Sequence, residues 1–392
     1  LRKVYGDLHI HVGSAAGKPV KITASRRLVV QQVLAVDAPS KGLQMVGLVD
    51  AGSLLVSAEL ANLVNNGDLI EQSGGGYLAH NGVLLIPGCE VESREGVHLI
   101  LYLPHLGSVE RYQKYMRNRV KNLTLSTQKA AVSAPELLNL ACLLEGVFCP
   151  AHAFTPHKGI YGACTARLAT VFGRDLGQIR SLELGLSADS QMADMISETR
   201  SFTFLSNSDA HSSPNVGREY NLFRMAEKNF TEFRYCLENE GERRVLGNFG
   251  MDPRLGKYHR TYCSACDWII DEPQPVLDCP RCGTDKVVTG VWDRVVSIGD
   301  SYEPRRPVGR PPYHYRVPLR DLPGVGPRLI EKMLGYFGNE ISVLEEASID
   351  DLARLAGEPV AKMIAKMRRG RLDIVPGGGG KYGKVQKNNC DI

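Results

Sequence analysis

No stretch of this sequence approaches the roughly 18 consecutive apolar residues that a membrane-crossing helix needs, which excludes a transmembrane anchor of that kind. Leu1 to Asp7 read as a strand, without the charged-then-apolar order of a signal peptide, and a cytoplasmic protein is expected. Internal repeats are missing as well, apart from a candidate pair of hairpins at the C-terminal end. Excess charge is nearly missing: 47 basic against 43 acidic residues leave +4, too little to name a partner. The local balance says more. Acidic residues are absent from 304–320, which carries Arg305, Arg306, Arg310, Arg316 and Arg320, so this segment suits a polyanion.

What is present points to an α/β protein of two or three domains, since 392 residues exceed one ordinary domain. Strand-like runs are Val4–Leu8, Gln44–Val49, Val83–Pro87, Leu99–Leu103, Val147–Pro150, Ser181–Leu184 and Thr203–Leu205. Helical spacing separates several of them, as in Leu54/Leu55/Ala58/Leu60/Leu63 and Leu137/Leu138/Ala141/Leu144. Repeated β-then-α units over 1–250 predict an irregular barrel or doubly wound sheet. After residue 250 the character changes. A Cys-rich unit occupies 258–292, a Pro/Arg-rich linker or DNA-contacting arm 299–318, a helical unit 319–370, and a Gly-rich tail, expected to be disordered, 376–392.

Most of the strand-like runs carry a metal-ligating side chain at or near one end: His9 and His11, Asp50, Glu90, His98, His152, Glu183, then Asp209 and His211. Strand ends in a barrel converge on one mouth, so residues far apart in sequence can share a site. Imidazoles with carboxylates suit zinc, manganese or iron, and a shared carboxylate lets two ions sit close together. The pieces D-L-H-I-H at 7–11, V-D at 49–50, G-C-E at 88–90, His98, A-H at 151–152, Glu183 and S-D-A-H at 208–211 resemble the PHP (polymerase and histidinol phosphatase) superfamily. That resemblance implies a distorted (βα)7-type barrel. It implies one metal on His9, His11, Glu90 and Asp209, and a second on Glu90, His98 and His152. The chain departs from the pattern where a third ion would bind, because Asp50 is followed by Ala51 and Val12–Lys18 contains no histidine. Two catalytic ions (Zn2+, Mg2+ or Mn2+) are therefore expected, with any third held weakly by His211 and Asp50. Asp209, His211 and Glu90 are the candidate catalytic residues, and His157 is a further candidate for the leaving group.

Cys263, Cys266, Cys279 and Cys282 form two C-x-x-C pairs at the spacing of one structural, tetrahedral Zn2+. The scattered Cys89, Cys142, Cys149, Cys164, Cys236 and Cys390 read as buried small hydrophobes. L-P-G-V-G at 322–326 opens a helical apolar face and resembles a helix-hairpin-helix turn, in which backbone N–H groups grip a DNA phosphate. Gly324, Val325, Gly326 and Arg328, with Arg305, Arg306 and Arg310, are the candidate DNA contacts.

The order of PHP unit, four-Cys ribbon and helix-hairpin-helix resembles the endonuclease Q family over nearly the whole chain. The resemblance implies a nucleoid-associated repair endonuclease that cuts DNA 5′ of deaminated bases (uracil, hypoxanthine, xanthine) or abasic sites, leaving a 3′-hydroxyl and a 5′-phosphate. A PHP-type 3′→5′ exonuclease or general phosphodiesterase is the alternative, and a non-catalytic DNA-binding scaffold fits less well.

Overall fold

The computed structural model describes residues 1–272 and 276–386. Its centre is a ten-stranded mixed sheet on which helices pack. The opening strand β1 (Arg2–Ile10) lies parallel to β2 (Met45–Leu48), which lies parallel to β3 (Leu84–Glu92). On the other side β1 is antiparallel to β4 (Tyr220–Met225), and β4 to β5 (Arg244–Gly250). These last two strands lie beyond the seven runs expected from the sequence.

The strand β3 is long enough to change partners. Its first half pairs with β2, whereas Gly88–Glu92 pair with His98–Tyr102, which in turn pairs with Val147–Pro150. A short parallel pair, Ser181–Glu183 with Thr203–Leu205, lies beside these strands. Backbone bonds tie it in at both ends: Ala153 N–H donates to Glu183 O (2.8 Å), and Ala210 N–H to His9 O (3.1 Å). These bonds join the ends of β1, Val147–Pro150 and the Ser181–Glu183 pair.

The apolar residues of the central strands are covered on both faces of the sheet. Leu8, Ile10, Val46, Leu48, Leu84, Ile86, Ile100 and Leu101 have essentially no solvent exposure. Burying such a side chain stabilises the fold by about 1.5–3 kcal/mol relative to leaving it exposed. Against that background the buried Asp7, His9, His11, Asp50, Glu90 and Glu183 stand out.

The C-terminal part has its own cores. Leu319, Leu322, Met333, Leu344, Leu352, Ile364 and Met367 pack the helices Pro327–Phe337, Ile349–Ala356 and Glu358–Arg368 together. Cys263, Cys279 and Ile270 centre a small three-stranded unit.

Three expectations are corrected here. The Pro/Arg-rich stretch is not a free linker throughout, because Tyr313–Tyr315 add a parallel strand beside β5 and Arg310 is buried. Residues 376–386 are not an open coil. Lys384–Val385 pair with Ile374–Val375, and Gly377, Gly380 and Gly383 donate backbone bonds to Arg254, Lys257 and Leu255. The remainder of the expected tail, 387–392, lies outside the described residues, and so does Cys390. Finally, Cys89, Cys149 and Cys236 are buried as expected, but Cys142 and Cys164 are exposed.

Candidate metal centre

Alternation along β1 sends Asp7, His9 and His11 to the same side, and the buried carboxylates around them divide into two roles. Asp7 is a scaffold: it accepts from Ser208 N (3.0 Å) and Gly217 N (2.9 Å). Glu183 grips the back of His9, with Nδ1 at 3.0 and 3.1 Å from its two oxygens, and also accepts from Asn207 Nδ2 (2.9 Å) and His152 N (3.1 Å). Asp50 does the same for His11, accepting from Nδ1 at 2.9 Å, and it also accepts from Val12 N and Ser126 Oγ. Asp50 and Glu183 thus sit behind the histidines rather than in front as ligands. Each fixes a ring so that Nε2 carries the free lone pair, the usual arrangement around a ligating imidazole.

In front, the donor atoms close on one another. His9 Nε2 and His11 Nε2 lie 3.3 Å apart. His9 Nε2 is 3.4 Å from Glu90 Oε1, and His11 Nε2 is 3.4 Å from Glu90 Oε2. Asp209 Oδ1 is 3.4 Å from both nitrogens. On the far side of Glu90, Oε1 lies 3.2 Å from His98 Nδ1 and 3.6 Å from His152 Nε2, and these two nitrogens are 3.3 Å apart. A third group joins His11, Asp209 and His211.

These spacings fit cations. Donors about 2.05 Å from a common ion at tetrahedral angles are about 3.3 Å apart. Lone-pair nitrogens facing each other at that distance repel unless a positive charge lies between them. Glu90 Oε1 is buried without a hydrogen bond, which leaves it available as a ligand shared by both groups.

The charges around the site favour a positive charge among these donors, whether a proton or an ion. Burial opposes charge at His9, but Glu183, Asp209 and Glu90 outweigh it and hold the ring well above its usual pKa. Burial is likewise outweighed at Glu90, by Lys21 and His98, and at Asp209, by His9 and His11, so both carboxyls stay well below their usual range.

Backbone strain marks the same place. His152 and Asp209 adopt φ of +30° and +46°, where a residue with a side chain costs about 1–3 kcal/mol. Gly185 lies under His152, and a Cβ there would come within 2.9 Å of the His152 Cβ.

The centre opens into a cavity of about 710 Å³, within the usual size range of ligand sites. His157, Lys158, Arg218, Lys257, Tyr258 and Tyr382 line it together with the metal-binding group. Lys21 also lines it, bonded to Glu90 Oε2 (3.2 Å) and Thr127 Oγ1.

No protein-family model matches the chain. It is 37% identical over 397 residues to the uncharacterized protein YqxK of Bacillus subtilis (strain 168), covering 98% of this chain and 100% of that one. The uncharacterized protein MJ0043 of Methanocaldococcus jannaschii is 38% identical over 224 residues, 52% of this chain and 28% of that protein. Among solved structures, the lesion-specific endonuclease PfuEndoQ from Pyrococcus furiosus superposes with a TM-score of 0.87 at 35% identity, covering 99% of this chain and 96% of that chain. The chain belongs to the endonuclease Q family. A family member solved with a 27-mer duplex substrate, an abasic lesion at its active site, superposes at 0.86 with 34% identity, over 99% of this chain and 97% of that one.

Two further groups of candidate residues of this endonuclease Q relative lie in its C-terminal part. Cys263 and Cys282 Sγ are 3.6 Å apart, as are Cys266 and Cys279 Sγ. Thiolates about 2.3 Å from one tetrahedral ion stand about 3.75 Å apart, so this four-Cys cluster also fits a metal. Gly324 (φ +84°) and Gly326 are exposed at the start of helix Pro327–Phe337, and a Cβ on either would meet nothing within 4 Å. Arg328 is exposed beside them, whereas Val325 is buried and anchors the turn. Arg305 and Arg306 are exposed. Arg310 is withdrawn from solvent, paired with Asp194 at 2.8 Å. Lys21, Thr127, Arg218 and Tyr382 escaped the sequence reading because none belongs to a recognisable motif, and Asn207 escaped it although it directly precedes S-D-A-H at 208–211.

Proposed function

We propose that this protein is a metal-dependent DNA repair endonuclease. It cuts the phosphodiester 5′ of a deaminated base (uracil, hypoxanthine or xanthine) or an abasic site, leaving a 3′-hydroxyl and a 5′-phosphate. The observation that carries this reading is the juxtaposition of Glu90, at donor distance from two separate sets of histidines, with a cavity large enough for a nucleotide. We read the main sheet and its side pair as a distorted PHP-type barrel, the four-Cys unit as a zinc ribbon, and 319–370 as a helix-hairpin-helix domain acting in the nucleoid.

In this reading His9, His11, Glu90 and Asp209 hold one divalent ion, and Glu90, His98 and His152 a second. Bound there, such ions supply charge neutralisation at phosphorus and lower the pKa of an attacking water. The protein's own contribution is positional. Glu183 and Asp50 lock the rings of His9 and His11, and the strained backbone at His152 and Asp209 aims their side chains inward. Lys21, tethered to Glu90 and Thr127, offers a fixed positive charge to a non-bridging phosphate oxygen. His211, beside Asp209, orients the leaving group. The exposed backbone of Gly324 and Gly326 grips a phosphate of the duplex without reading its sequence, with Arg328, Arg305 and Arg306 adding charge.

The test is cleavage of an end-labelled duplex with one internal deoxyuridine by wild type and His9→Ala, with Mg2+, Mn2+ or Zn2+. A single cut 5′ of the uracil by wild type alone is expected. A ladder from one end indicates an exonuclease, and wild-type inactivity on uracil, hypoxanthine and abasic duplexes alike refutes the proposal.

A further inference from the structure

The proposed incision implies where the damaged base must go. The phosphate at the metal centre is the one 5′ of the lesion, joined to that base through a single sugar. The base pocket must therefore adjoin the donor group.

The Gly-rich segment near the C-terminus is built against that place. Its backbone bonds to Arg254, Lys257 and Leu255 are reinforced by packing that only glycine permits. A Cβ on Gly379 would lie 2.2 Å from the Tyr262 ring, and one on Gly383 would lie 2.6 Å from Val375 O. Lys381 Nζ also reaches Asp267 of the four-Cys unit at 3.3 Å. So clamped, the hairpin from Ile374–Val375 to Lys384–Val385 delivers Tyr382 to the cavity wall, 46% exposed.

Arg218 connects this ring to the metal centre. It donates from Nε to Ser208 O (2.7 Å), and its Nη1 lies 3.4 Å from the Tyr382 hydroxyl. Lys257 Nζ lies 5.0 Å from the Tyr258 ring centroid and 5.9 Å from that of Tyr382, and all three residues line the cavity.

Resting on the endonuclease reading, we infer that Tyr382 and Tyr258 are the stacking surfaces for the flipped lesion base, with Lys257 between them as a donor. Extruding a nucleotide gives up stacking in the duplex, and aromatic faces restore it without regard to base identity. Deamination replaces an amine donor by a carbonyl acceptor. The Lys257 ammonium can donate to that carbonyl but has nothing to accept an amine. The four-Cys unit gains a task as the clamp that holds the hairpin in place.

An abasic site has no base to stack, and this separates the inference from a general role of the tail. The experiment measures kcat/KM on two otherwise identical duplexes, one with deoxyuridine and one with a tetrahydrofuran abasic analogue. Tyr382→Ala is expected to lower the uracil-to-abasic ratio about tenfold or more, while Tyr382→Phe keeps it within about threefold of wild type. A ratio unchanged in Tyr382→Ala, whether both activities fall together or neither falls, overturns the inference. So does Tyr382→Phe behaving like Tyr382→Ala, which would assign the effect to the hydroxyl. Wild type cutting neither duplex would instead overturn the endonuclease reading beneath it.

Discussion

Replacing Arg310 by Met should damage folding rather than DNA binding. Its side chain is 3% exposed and that of its partner Asp194 2%. The guanidinium donates to Asp194 Oδ1 (2.8 Å), Thr199 O (3.1 Å) and Phe202 O, and it lies 3.6 Å over the Phe204 ring. Methionine fills much of the same volume but leaves a buried carboxylate and two carbonyls without their donor. Breaking one side of a buried ion pair costs about 3–5 kcal/mol. Burial already raises the pKa of Asp194, and Arg310 opposes that rise. Without Arg310 the carboxyl rises further, so the variant should recover some stability as pH falls. Asp194→Asn in the same chain should cost less than additively, with a coupling of about 0.5–3 kcal/mol. The assay is the urea midpoint by circular dichroism, alongside DNA affinity across a salt series. Exposed Arg305→Gln serves as the contrast. It should change stability by no more than about 0.5 kcal/mol while making the salt dependence shallower. Arg310→Met unfolding at the wild-type midpoint while binding DNA more weakly would refute the argument and restore 299–318 as a DNA-contacting arm.

Other outcomes follow from the same geometry. Glu183→Gln should lower metal occupancy about 10–100-fold in a chelator competition with little change in overall fold, because His9 loses its orienting carboxylate; unchanged occupancy would remove Glu183 from that role. Burial pushes the Glu219 carboxyl from 4.5 up to about 8. The folded chain therefore binds a proton that the unfolded chain releases, and this contribution is full below about pH 4.5 and lost as pH rises toward 8. Glu219→Gln should flatten that decline and raise stability at pH 8 by about 1–3 kcal/mol, which urea midpoints at pH 5 and 8 would check. Cys279→Ser should reduce bound metal by one ion per chain and expose the 374–386 hairpin to proteolysis; a resistant hairpin would separate the two units.

Residue type and strand position were enough to bring His9, His11, Glu90, His98, His152, Asp209 and His211 into one list, because His98 opens a strand-like run and each of the others follows one. They did not say on which side of an imidazole a carboxylate lies. Asp50 and Glu183 therefore read as ligands, although they hold the rings from behind. The strands Tyr220–Met225 and Arg244–Gly250 were missed because polar Asn221, Arg224 and Asn248 break their apolar runs. Asn221 and Asn248 are in fact buried and bonded to each other (2.9 Å). Arg310 shows the opposite error: a Pro/Arg-rich segment looks solvated until Asp194, more than a hundred residues away, supplies the partner. The glycine run looked like an open coil because its order comes from contacts that only the absence of side chains allows.

The cavity is walled by residues from His11 to Tyr382, nearly the full span of the chain. During synthesis the metal-ligating histidines leave the ribosome well before Tyr382. Domains tend to fold as they emerge, so the catalytic unit can mature while the far wall is still unmade. A message truncated between His211 and Tyr382 would give a chain that carries every metal-ligating side chain of the centre but leaves the cavity without its far wall.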